Sequence, residues 1–352
     1  MKYSWDIENI KRKLNKANNS SSKLCIDKKI YSSMLADLTV PKREKINKVE
    51  KNEFFTALDK FDINYFNNTI FKLINYIASN LVDNSTTLCK NDFDIKKNDS
   101  TVIKICKDFY KKNDKDSLLY FKKIINDESR INFINTSAPF LGRTYIINMS
   151  EYYILINGKN YLEDTLSLVH ESKHVEMFLK GYNKGITHYE ELSSILYELY
   201  MIDYLLQTDN NDDIVNRIKI QTINKYVNLI NNISNYINYI KRLKESSVFY
   251  DNIKENYDLF YYKDELYNIF SILNLGVSEK EIGKIVSFIV AIDIYLNSKM
   301  SNVNNVLSCY IFGIYKLKPG IVDCVIKYIN SIYEPYINKD SNKNNKKIKY
   351  LY

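Results

Sequence analysis

Histidine is nearly absent from this sequence, three in 352 residues, and glycine and proline are scarce at 8 and 4. So few chain breakers leave few enforced turns, which suits a mostly helical protein. Five cysteines, Cys25, Cys89, Cys106, Cys309 and Cys324, are odd in number and scattered, with no CxxC pair. That spacing argues against a disulfide framework or a cysteine zinc site and reads as buried free thiols in a reducing compartment. No apolar run is long enough to span a bilayer. The longest, "IVSFIVAIDIYL", contains Asp293 and is expected to be a core helix. The N-terminal "MKYSWDIENIKRKLNK" turns charged at once and lacks an apolar h-region, so a cytoplasmic location without a membrane partner is expected.

What is present points to a globular chain. Apolar residues make up 45% of it, and the length allows one large domain or two modest ones. The formal net charge is +8, but the final "YINKDSNKNNKKIKYLY" holds five lysines against one aspartate. A solvated basic tail accounts for much of the excess, and with no interleaved stacking motif no nucleic-acid partner is expected. Three regions are expected: an N-terminal helical region over 1–100, a catalytic domain over 101–336 and a basic tail over 337–352.

Helical spacing is weak in residues 1–50 and sharpens in "FFTALDKF", "FNNTIFKLINYIASNLV", "VIKICKDFYKK" and "LLYFKKIIND". The polar "NSTTLCKNDFDIKKNDS" between the second and third of these reads as a linker. Strand composition is concentrated between Arg143 and Asn157, where "RTYIINM" and "YYILIN" flank a polar "SE" and suit a hairpin. Asn160 is placed to cap a helix with Glu163 three residues on, and Gly181 to end it. Thr187 and Glu190 form a second capping box, opening a helix that runs through "SSILYELYMIDYLL".

The first of those two helices contains "HESKH", residues 170 to 174. Helical residues four apart lie about 40° apart in projection, so His170 and His174 share a face on which two neutral imidazoles can grip one zinc ion. Glu171 is a further third of a turn round, where a carboxylate can take a proton from water without ligating the metal. A catalytic zinc needs a third protein ligand and one open position. His188 reads as a solvated helix-end residue. Glu190, Glu191 and Glu198 are better placed, on the helix that returns after one short loop.

The run "GRTYIINMSEYYILINGKNYLEDTLSLVHESKH" and the following "EELSSILYELYMIDYLL" resemble the thimet oligopeptidase and oligoendopeptidase F family of zinc peptidases. The resemblance covers roughly residues 142–206 and takes in the HExxH helix and the helix that follows. It implies that His170, His174 and Glu191 are zinc ligands, that Glu171 is the general base and that Glu198 is a supporting carboxylate behind the ligands. Helix projection agrees, because Glu191 flanks the apolar stripe at roughly 70° from its centre while Glu190 points away and can close the capping box. The chain departs from the family at Lys173, where a glycine is usual, and at Met177, where a histidine is common. Near the C-terminus "SCYIFGIYKL" keeps only the family's closing Tyr-x-x-Gly, Tyr310 and Gly313, without the histidine that precedes it.

The expected fold is mainly α-helical, with a small β-hairpin or sheet beside the HExxH helix and a cleft with the zinc at its floor. The expected function is a zinc metalloendopeptidase acting on short flexible peptides. Zinc would polarise the scissile carbonyl, Glu171 would deprotonate the attacking water and Tyr310 would donate to the oxyanion. Two alternatives remain open: a degenerate relative that serves as a peptide-binding or interaction protein, and a basic nucleic-acid binder.

Overall fold

Scarce breakers give long helices. In the computed structural model the described residues form thirteen α-helices and one three-stranded sheet. Those residues are 7–18, 25–39, 49–81, 99–135, 140–158, 160–182, 191–208, 212–257, 264–298 and 320–348. In chain order the elements are α1 (Ile7–Asn18), α2 (Cys25–Thr39), α3 (Lys51–Lys60), α4 (Thr69–Asn80), α5 (Asp99–Asn113), α6 (Lys115–Ile125), β1 (Ile131–Ile134), β2 (Gly142–Asn148) and β3 (Glu151–Asn157). There follow α7 (Tyr161–Leu179), α8 (Leu192–Thr208), α9 (Asp212–Glu245), α10 (Ser247–Glu255), α11 (Asp264–Leu275), α12 (Glu279–Asn297) and α13 (Ile321–Ile348). Among the described residues no helix is long and apolar enough to cross a membrane. The "IVSFIVAIDIYL" stretch lies in α12, with Ile285, Ile289 and Ile292 fully buried.

The chain divides into two compact units. One comprises Met1–Arg43, Cys89–Lys219 and Val290–Leu317. Its sheet has the order β1-β3-β2, so β3 is central, paired parallel with β1 and antiparallel with β2. The β2–β3 hairpin turns at Met149 and Ser150, one residue earlier than the "SE" turn expected, because the Asn148 side chain accepts from the Ser150 N–H and closes the turn itself. Strand alternation sorts the two faces. Tyr145 and Leu155 join Ile10, Tyr31 and Met34 in a core beneath α1 and α2, whereas α7 packs on β2 and β3 from the other side.

Helix α7 also touches α5, α6 and α8. Most of its circumference is therefore buried, including His170, Glu171, Lys173 and Glu176. Its start is fixed as expected: Asn160 accepts from the Leu162 and Glu163 N–H groups, a cap worth about 1 kcal/mol. At its end Gly181 takes φ +76°, and the Gly181 and Tyr182 N–H groups return to the carbonyls of Phe178 and Met177.

The second unit comprises Glu44–Leu88, Ile220–Ile289 and Lys318–Tyr352. Its core is mostly aliphatic, with Phe54, Phe55 and Tyr257 in mutual contact and Tyr226 stacked on Phe288 at 4.6 Å.

Candidate metal centre

Three donor atoms converge between α7 and the start of α8. His170 Nε2 and His174 Nε2 are 3.1 Å apart, and Glu191 Oε2 lies 3.1 Å from the first and 3.4 Å from the second. Ligands on a tetrahedral zinc with bonds of 2.0–2.1 Å sit about 3.3 Å apart. The three spacings fit such an ion closely, and His170, His174 and Glu191 are the cluster among the described residues that could hold a metal.

Local structure explains why these atoms meet. The i,i+4 spacing stacks the histidines on one helix face. Glu191 is tied to the first turn of α8 because its carbonyl accepts from the Ile195 N–H at 2.9 Å. Ser194, one turn on, donates to the His170 carbonyl at 3.0 Å. A further turn on, Glu198 Oε1 stands 3.1 Å from His170 Nδ1, although without the alignment of a full hydrogen bond. The structure thus brings His170, His174, Glu191 and Glu198 together. Tyr310, Gly313, Thr187, His188 and Glu190 lie outside the described residues.

Burial and charge act against each other in this cluster. Burial disfavours a charged His170, but Glu198 and Glu191 outweigh that penalty and raise its pKa to about 10. Burial likewise opposes ionisation of Glu191, yet its hydrogen bonds to His170 and His174 hold the carboxyl well below its ordinary range. A positive charge is therefore favoured at the point where the donors converge.

Glu171 is buried beside this cluster and faces strand β2. Thr144 Oγ1 donates to Glu171 Oε2 at 2.7 Å and also lies 3.1 Å from the Glu171 carbonyl oxygen. No signal within the HExxH helix points to Thr144. The only clue in the sequence is strand alternation, which places Gly142 and Thr144 on one face.

About a third of a turn round α7 from the histidines lies a second buried polar group. Lys173 donates to Ser117 Oγ at 3.0 Å and Glu176 Oε2 at 2.7 Å, with its ammonium 3.7 Å from the centre of the Tyr197 ring. Ser117 and Tyr197 both donate to Asp114, and Lys180 pairs with the other Glu176 oxygen. Burial would raise the Glu176 pKa, but Lys173 and Lys180 outweigh it and hold it below the ordinary value. Burial pushes the Lys173 ammonium down. Lys173 is thus the hub of an ionic network joining α6, α7 and α8.

Comparison with known protein families, characterised proteins and solved structures finds no match.

Proposed function

We propose that the chain is a zinc-dependent metalloendopeptidase that hydrolyses short, flexible peptides, in the manner of the thimet oligopeptidase and oligoendopeptidase F family. The observation that carries this reading is the triangle of His170, His174 and Glu191 donors at tetrahedral spacing, with the Glu171 carboxylate on the same helix. Zinc held there would supply a Lewis acid for the scissile carbonyl and for water. Glu171 takes the proton of the attacking water and returns it to the leaving amine. Glu198, behind His170, holds that imidazole in orientation. Tyr310 is the proposed donor to the oxyanion, and a cleft is proposed to admit extended peptides and exclude folded proteins.

Two measurements test this. Elemental analysis should find one zinc per chain. Glu171→Gln should keep the fold and the zinc while slowing cleavage of quenched fluorescent peptides by several orders of magnitude. Undiminished cleavage by that variant would remove Glu171 from the mechanism. A second reading, a peptide-binding relative without turnover, is favoured by the absence of any histidine after residue 188. It predicts zinc and peptide binding with no cleavage by the parent protein.

A further inference from the structure

The Glu171 side chain lies against strand β2, the outer strand of the sheet on that side. Two residues of β2 that alternate onto the α7 face receive it. Gly142 supplies space: a Cβ at that position would stand 2.8 Å from Glu171 Cγ and 2.9 Å from Oε1, too close without displacing the carboxylate. Thr144 supplies a donor, its hydroxyl 2.7 Å from Glu171 Oε2. A free glutamate side chain samples many rotamers, and fixing it costs conformational entropy. A base must nevertheless be held within a fraction of an ångström of its task.

We propose that β2 is the element that positions the base, with Thr144 as a positioning residue and Gly142 as the gap that admits the side chain. This rests on the reading of Glu171 as the general base. Thr144 engages Oε2 and thereby sets the rotation of the carboxylate, so that Oε1, lying over Gly142, is the oxygen presented to water. The β-branch of threonine restricts the hydroxyl to few rotamers, which serine would relax without removing the donor.

The test has one arm that needs activity and one that does not. With zinc bound, Thr144→Val keeps the shape and loses the donor. It should lower kcat on the order of tenfold with KM and zinc content unchanged, and Thr144→Ser should restore most of the loss. In the zinc-free protein, a double-mutant cycle of Thr144→Val and Glu171→Ala, followed by urea unfolding, should show coupling on the order of tenfold in the unfolding constant. Gly142→Ala should lower kcat further than Thr144→Val, but a poorly folded Gly142→Ala would not affect the cycle. Additive effects in the cycle, alongside normal peptide cleavage by the parent, overturn the positioning role and leave the peptidase reading standing. Coupling in the cycle with no cleavage by the parent supports the hold of Thr144 on Glu171 and overturns the peptidase reading instead.

Discussion

Two sides of helix α7 solve the same electrostatic problem differently. Both bury carboxylates, which is costly unless a positive charge accompanies them. On the lysine side the chain supplies that charge covalently: Lys173 and Lys180 meet Glu176, with Asp114 joined through Ser117. On the histidine side Glu191 is held by His170 and His174, and the charge on His170 depends on a bound proton. A charge fixed to the chain serves stability. One that must come from solution leaves a place for an exchangeable cation, which is what a metal centre needs.

Substitutions on each side should separate these roles. The largest effect is expected on the histidine side, where His170→Ala or Glu191→Ala should strip zinc and abolish peptide cleavage while the fold survives, as read by elemental analysis and circular dichroism. Retention of full zinc by Glu191→Ala would move the third ligand to another carboxylate, Glu190 or Glu198. Lys173→Ala should do the reverse. It leaves Glu176 with Lys180 and Ser117 as partners and one fewer cation, so a loss of about 3 kcal/mol in unfolding free energy is expected, with one zinc per folded chain retained. If Lys173→Ala emptied the metal site of well-folded protein, the two sides would not be independent.

A smaller effect is expected at Glu198, which touches His170 only on the nitrogen turned away from the donor triangle. Glu198→Ala should weaken zinc affinity by about 10–100-fold without abolishing binding, as measured by competition with a chromophoric chelator. An unchanged affinity would make Glu198 a bystander.

The exchangeable charge should also appear as a pH dependence of the zinc-free protein. The folded pKa of His170 is raised from 6.5 to about 10, so its contribution to stability is complete below 6.5 and fades as pH rises toward 10. Glu191 is shifted downward from 4.5, so its contribution is present above that value and lost as pH falls. The metal-free fold should be most stable between these limits. Subtracting the curve of His170→Gln isolates the histidine, since Lys173 also titrates at high pH. Zinc competes with the proton on His170, so the stabilisation it confers should grow with pH. A difference curve that is flat from pH 6.5 to 10 would show that His170 carries no such proton.

How much of this was legible along the chain depended on how local the signal was. Asn160, Gly181 and the His170–His174 spacing act within one helix and its ends, and the structure has them where local rules put them. Glu191 depends on the return of α8, which no local rule places; the family resemblance implies it, and helix projection agrees. The mainly helical class followed from composition, although α1 and α2 form where the periodicity was weak, because their apolar residues pack on the sheet. Strand β1 carried no pattern of its own: four residues become a strand because β3 offers them a parallel edge. Lys173 shows the same limit. Its partner Ser117 is 56 residues away, and nothing near "HESKH" reveals that the lysine is buried.

The arrangement around α7 also bears on when the site can form. Among the described residues, the elements packed most extensively against it, α5, α6, β2, β3 and α8, lie between Asp99 and Thr208, and the donors come from α7 and from the residue that opens α8. Such local closure has little loop entropy to overcome and favours early assembly. On the ribosome, His170, His174 and Glu191 are expected to meet while the chain beyond α8 is still being made. Tyr295, which donates to Asp203 at 2.7 Å, would dock onto an already formed α7–α8 pair. A metal ion captured at that stage would stabilise the α7–α8 pair before the rest of the chain is made, without being required for the fold.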